Sequence, residues 1–356
     1  MVAILCSAAG ASSAPSQTAT WGVAARAELL TAAGKALRTY FFTSRVPRLR
    51  AALEAHRNAL LRIGDPEKFA KAVTADLYAV AHDKHVALFY STTTIPTSST
   101  GKPTPADIAY IKHDEAFGNY GYASALRLWG NIGYLHLYFF SGMPEARQTI
   151  DAAMALLAHT DAMIIDLRDN EGGNPNSIDY LMGYFFPKPT QLTSIIWRQN
   201  GKTTTHRQFS AATVSGARYL GRPIYVLIDH RTISGGEQFA YDMKTLHRAT
   251  LIGATTAGGA NPGEDVRLSA HFMIFVPHGQ ARNPYTGTNW EGVGVIPDIK
   301  IAPETALLKA YVLALRAVND PFDDAVQERQ AALKDPAAAL RESLPEISRD
   351  TGGIVP

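Results

Sequence analysis

The sequence predicts an α/β protein with a helical bundle lobe at its N-terminal end. Helical periodicity dominates the stretch from about Ala24 to His82. Further on, apolar runs of strand length, Ala162 to Leu167 (AMIIDL) and Ile224 to Ile228 (IYVLI), alternate with helical stretches. Unbroken runs of that kind mark strands covered on both faces. At 356 residues, 46% of them hydrophobic, the chain is long enough for one large core domain and a smaller lobe.

Met1 to Pro15 (MVAILCSAAGASSAP) is apolar, then rich in small residues. Residues 1–20 therefore read as a leader or a truncated signal peptide, with Ala11 to Ala14 as the cleavage region, although a basic n-region is missing. That points to a secreted or periplasmic protein, with the cytoplasm as the alternative. Cys6 is the only cysteine, which excludes an intrachain disulfide framework and a Cys-ligated zinc cluster but leaves both compartments open.

Residues 21–90 form the expected lobe. Leu29, Leu30, Leu37, Tyr40 and Phe41 lie near helical spacing, and Leu49, Leu53 and Leu60 follow. Asp65-Pro66 starts a helix carrying Phe69, Val73, Leu77 and Val80, and Val86 to Tyr90 reads as a strand. Ser91 to Pro105 is rich in Ser, Thr, Pro and Gly and opens a linker, 91–118. The core is placed at 119–320. Its expected strands are Ile132 to Phe140, Ala162 to Leu167, Ile224 to Ile228, Ala249 to Ile252 and Phe272 to Val276. Its expected helices are Pro144 to His159, Ile178 to Phe186 and Gly236 to Leu246. A helical tail, 321–356, breaks at Pro336 and Pro345.

A net charge of +2 without a basic, aromatic-studded stripe argues against nucleic acid as a partner. No apolar run reaches the ~18 residues of a membrane span. His206, His230, His247, His271 and His278 show no metal-ligand spacing, so neither a metal nor a cofactor is expected. Oligomeric state is not legible.

Two segments carry chemistry. In Ile224 to Lys244 a buried strand ends, a short turn follows, and Ser234-Gly235-Gly236 leads into a helix. Such a turn lifts a serine Oγ beyond the sheet, and the Gly235 amide can point at a developing oxyanion. The competing reading makes Ser234 an N-cap with Glu237 as its capping-box partner. In Ile164 to Pro175 a strand ends in Asp166-Leu167-Arg168 ahead of two glycines. Gly172 or Gly173 could supply the second oxyanion donor, and Asp166 with Arg168 reads as a structural ion pair.

Four motifs then occur in order: Asp-Leu-Arg-x-Asn-x-Gly-Gly ending at Gly173, Thr-x-Ser-Gly-Gly-Glu around Ser234, Gly-Ala-x-Thr-x-Gly-Gly from Gly253 to Gly259, and Gly-Val-x-Pro-Asp from Gly294 to Asp298. Over about Asn131 to Ile301 the chain resembles the family of tail-specific (C-terminal processing) proteases, the tricorn core protease and interphotoreceptor retinoid-binding protein. The resemblance implies a ClpP/crotonase-like core and a serine peptidase acting on peptides or unfolded protein segments. The helices leading into His82-Asp83-Lys84-His85-Val86 resemble the leader of the retinoid-binding-protein-like branch. Only Ser91 to Gly130 separates leader from core, too little for the PDZ domain that tail-specific proteases carry.

An unassisted serine needs a proton acceptor. Tail-specific proteases take a lysine from the segment after the serine's helix, but Thr250 to Arg267 contains none, and Lys244 lies on the serine's own helix. The tricorn-like pattern instead places its histidine at His85, with His82 as the competitor, and its glutamate at Glu291. The implied triad is Ser234, His85 and Glu291. The rival from another class is a non-catalytic binder of apolar ligands on the same fold.

Overall fold

The computed structural model describes residues 21–95, 104–318 and 323–344. The expected leader and the break at Pro345 lie outside them.

The lobe begins with α1 (Val23–Ala36), α2 (Val46–Ala55), the single turn α3 (Arg57–Leu60) and α4 (Pro66–Ala81). Asp65 caps α4 by accepting from Lys68 N at 2.7 Å, and Pro66 occupies the first turn, where its missing N–H costs nothing. Leu29, Leu37, Leu49, Phe69, Val73 and Leu77 meet in one core. That core also takes in Phe272, Ile274 and Val276, which lie far along the chain. The reason is strand pairing: β1 (Ala87–Tyr90) pairs antiparallel with a later strand, Leu88 opposite Ile274.

Within the stretch expected as a linker, residues 105–117 form α5 (Pro105–Phe117). A Thr104/Asp107 capping box and Pro105 start it. None of its residues is buried, so no apolar periodicity marked it in the sequence.

The core follows with β2 (Tyr122–Leu128), β3 (Ile132–Leu137), α6 (Ala146–Leu157), β4 (Ala162–Asp166) and α7 (Pro175–Met182). A hairpin, β5 (Ser194–Gln199) and β6 (Lys202–His206), precedes β7 (Ile224–Ile228), α8 (Gly235–Thr245) and β8 (Thr250–Gly253). Then come β9 (Gly263–Arg267), β10 (Phe272–Pro277), β11 (Gly279–Arg282) and the short β12 (Ile299–Lys300). The helices α9 (Pro303–Ala317), α10 (Asp323–Lys334) and α11 (Pro336–Ser343) end the described chain, broken at Pro336 as its sequence predicts.

Six strands form the central sheet in the order β12-β8-β7-β4-β3-β2, parallel except for β2 at the edge. Two antiparallel three-stranded sheets flank it, β1-β10-β9 and β11-β5-β6. Alternate residues of β4 explain its unbroken apolar run. Met163 and Ile165 pack into the core holding α6, α7 and α8, while Ala162 and Ile164 face α9 and α11. Between these layers Asp166 and Arg168 form a buried pair, Arg168 Nη2 to Asp166 Oδ2 at 2.6 Å, with Tyr134 Oη donating to the same oxygen at 2.8 Å. This is the structural ion pair read from the sequence, and Arg168 further ties α9 through Pro303 O.

Candidate active site

Ser234 stands where β7 turns into α8, with φ 56° and ψ −116°. Few residues with a Cβ adopt such a backbone, so the turn is held by its surroundings. Asp229, itself buried, accepts from the amides of Arg231 and Thr232 and fixes the turn's start. Thr232 Oγ1 donates to Leu167 O at 2.7 Å. Glu237 fixes its end. Its carboxylate accepts from Ser234 N at 2.9 Å, Gly259 N at 2.8 Å, Gly258 N at 2.7 Å and the Thr256 hydroxyl. The residue read as a capping-box partner thus also clamps the nucleophile turn to the Gly258-Gly259 loop. Burial pushes its carboxyl up to about 7.

The Gly172-Gly173 loop lies directly against this turn. A Cβ on Gly172 would stand 2.7 Å from Ser234 Cβ, and one on Gly235 would stand 3.0 Å from Gly173 N. Gly173 has φ +128°, a conformation that only glycine adopts readily. The two glycines are not equivalent. Gly172 N donates to Asn170 Oδ1 at 2.9 Å, whereas neither Gly173 N nor Gly235 N is committed among the described residues. The free amides beside Ser234 are therefore those of Gly235 and Gly173. Asn170, which sequence reasoning passed over, also donates to Leu137 O and accepts Ile233 N at its carbonyl. The Asn in the first motif was the only signal for it.

Ser234, Gly235, Gly173 and His85 line one cavity of about 440 Å³, walled by apolar groups such as Trp197, Phe275 and Trp290. His85 lies in the turn between α4 and β1, and its backbone N donates to Asp83 Oδ1 at 3.0 Å. It is buried, its ring packed 5.4 Å from that of Phe275 and over Gly259, where a Cβ would reach within 3.0 Å of Cε1. Burial holds its pKa down at about 4, so the ring is neutral. Its Nδ1 is buried without a hydrogen-bond partner. His82, the sequence competitor, is the exposed left-handed C-cap of α4.

Glu291 reaches the same place from the loop before β12. Its carboxylate accepts from Ala260 N at 2.7 Å, Asn261 N at 3.1 Å and Lys84 N at 3.1 Å, but not from His85. Asp83, His85 and Glu291 each offer an atom, and these lie within 4.8 Å of one another. Burial and the neighbouring Asp83 raise Glu291 to about 7. Asp83 accepts from Tyr40 Oη and Asn261 Nδ2, both at 3.0 Å, so it ties lobe to core.

Lys244 is elsewhere. Its Nζ bonds Asp298 Oδ1 at 2.8 Å and Ile296 O at 2.7 Å. Trp290 lines the cavity and donates to Gly259 O. Phe239 is core, while Tyr285 is 54% exposed, on the surface rather than packed. Among the described residues no helix is long and apolar enough to cross a membrane.

Comparison with known proteins bears on the fold and the family. Residues 131–301 match peptidase family S41. A carboxyl-terminal-processing protease of Synechocystis sp. is 29% identical over 130 residues, 36% of this chain and 28% of that protein. The aligned part thus spans well under two thirds of that relative. Two solved structures share the fold. One, a lipoprotein from Streptococcus agalactiae, has a TM-score of 0.55 at 14% identity, covering 83% of this chain and 97% of its own. The other, from Parabacteroides merdae, has a TM-score of 0.52 at 18% identity, covering 78% and 90%. The four ordered motifs and the α/β sheet that carries them lie in the stretch, residues 131–301, that matches peptidase family S41.

Proposed function

We propose that this chain is a serine peptidase that cleaves peptides or unfolded protein segments through an acyl-enzyme. The observation that carries the reading is the cavity itself, where a serine on a strained turn, a buried neutral histidine and two uncommitted amides share one wall. In the reaction His85 Nε2 takes the proton of Ser234 Oγ as the oxygen attacks the scissile carbonyl. The amides of Gly235 and Gly173 receive the oxyanion. His85 then returns the proton to the leaving amine, and water hydrolyses the ester. Glu291 accepts from His85 Nδ1–H and stabilises the imidazolium. Its oxygen is no more than 4.8 Å from a ring nitrogen of His85, so a closure of about 2 Å brings it to hydrogen-bond distance. Carboxyl-terminal processing by the Synechocystis relative supports peptide or protein chains as the substrate class.

Labelling with a fluorophosphonate tests the reading. Ser234→Ala should abolish labelling with circular dichroism unchanged, and His85→Ala should slow it more than Glu291→Ala, because it removes the proton acceptor. A folded wild-type chain that reacts at no serine would support the apolar-ligand binder instead.

A further inference from the structure

The cluster behind the proposed nucleophile contains more acceptor capacity than a proton relay needs. Three side chains from two distant segments, Asp83, His85 and Glu291, bring ligand-type atoms within 4.8 Å of one another. Two buried polar atoms in this cluster have no partner among the described residues. One is His85 Nδ1, on a residue 3% exposed. The other is Asn261 Oδ1, on a residue 1% exposed whose Nδ2 donates to Asp83 Oδ2. Buried polar atoms are nearly always partnered, so two orphans around one carboxylate cluster mark a place where something is to be held. The surroundings favour a cation. Backbone amides already fix Glu291, from Lys84, Ala260 and Asn261, and fix Asp83, from His85, which presets both carboxylates as hydrogen bonds to the ligands do in metal sites.

We propose that Asp83, His85 and Glu291, with Asn261 Oδ1 beside them, form a binding site for one Zn²⁺ that reversibly switches the active site off. One imidazole nitrogen with two carboxylates is a ligand set that suits zinc, with water completing the tetrahedron. Magnesium and calcium prefer all-oxygen shells of six or more, which an imidazole nitrogen and two carboxylates do not supply. The ligand atoms must draw together by roughly 1–2 Å to surround an ion at ~2.0–2.2 Å, a movement of the size that the Glu291–His85 bond itself requires. Zinc and the proton relay then compete for the same histidine and glutamate. The inhibitory consequence rests on the proposed role of His85, whereas the binding does not.

The two parts separate experimentally. In calorimetry on the full chain carrying Ser234→Ala, one Zn²⁺ should bind per molecule, and Mg²⁺ should not. Adding His85→Gln, which keeps most of the side-chain volume, should remove the binding, and adding Glu291→Gln should weaken it at least about tenfold. With the wild-type serine, Zn²⁺ should slow fluorophosphonate labelling and a chelator should restore it. Absence of zinc binding to the Ser234→Ala chain, or equal binding after His85→Gln, overturns the site. Undiminished labelling of zinc-loaded enzyme overturns the switch. A chain that binds one zinc through His85 yet never reacts with fluorophosphonate upholds the site and overturns the peptidase reading.

Discussion

Replacing Glu237 should separate the two things its carboxylate does, holding the nucleophile turn and anchoring the glycine loop beneath His85. All four groups it bonds act as donors, and Thr256 Oγ1 is already the acceptor for Val295 N at 2.6 Å. In Glu237→Gln the new amide nitrogen settles best on the Oε1 side, because Thr256 Oγ1 has a second lone pair to offer there. The bonds to Ser234 N and Gly259 N survive, and only Gly258 N is left facing a donor. A buried unsatisfied amide costs about 1–3 kcal/mol, offset in part because a neutral group replaces a buried charge. At about 2–4 °C per kcal/mol for a chain of this size, the melting temperature should fall by roughly 2–8 °C, with labelling of Ser234 slowed only modestly. Glu237→Ala loses all four bonds, costs about 3–5 kcal/mol and frees the turn, and a 1 Å displacement of a reacting group can cost about a hundredfold in rate. Melting curves at pH 8 paired with fluorophosphonate rates give both numbers. An alanine variant as mild as the glutamine variant, in melting and in rate, would refute the clamp.

The remaining predictions concern the same cavity. Gly235→Ala places a methyl 3.0 Å from Gly173 N and 3.2 Å from Gly172 C and should nearly abolish labelling, with a stability cost set by how far that loop gives; normal labelling removes these amides from the mechanism. Lys244→Met breaks a half-exposed bridge worth at most about 1 kcal/mol and should leave labelling unchanged; a loss of labelling would return the protein to Ser/Lys chemistry. Labelling should rise with pH through about 7, where Glu291 ionises, and Glu291→Gln should abolish that limb; in the unliganded enzyme His85 itself is neutral above about 4. Stability should run the other way. Glu237, Asp242, Asp179 and Glu291 have folded values of about 7, above the unfolded ~4. The stability they contribute is full below the unfolded value and lost as pH rises through about 7. His85, lowered to about 4, gains stability between there and ~6.5, one group against four. The melting temperature should therefore be higher at pH 5.5 than at pH 8, and the reverse order would contradict it.

The sequence was most informative where burial is symmetric. Ile224 to Ile228 is a strand with the bounds its apolar run suggests, and Gly-Gly after Ser234 marks the turn. It was least informative where strands are wet. Lys202–His206 is wholly exposed, and α5 buries nothing, so neither leaves an apolar trace. The site shows the same divide. Ser234 and the glycines follow from local strand-turn-helix grammar, but the choice between Gly172 and Gly173 depends on which amide Asn170 occupies. Asn261, Asp83 and Tyr40 form one hydrogen-bonded chain across three separate segments. No local pattern announces such a chain.

The pairing of β1 with β10 has a consequence for the order in which the protein becomes competent. His85 sits at the foot of β1, and the Lys84 amide beside it reaches Glu291 across 207 residues of chain. A growing polypeptide exposes the histidine early and Ser234 later, yet the strand that seats the one and the glutamate that accompanies it arrive only with residues 272–291. A nascent chain therefore carries Ser234 and His85 without the frame that joins them. Under the proposed function, the late arrival of β10 delays assembly of the site until residues 272–291 have been made.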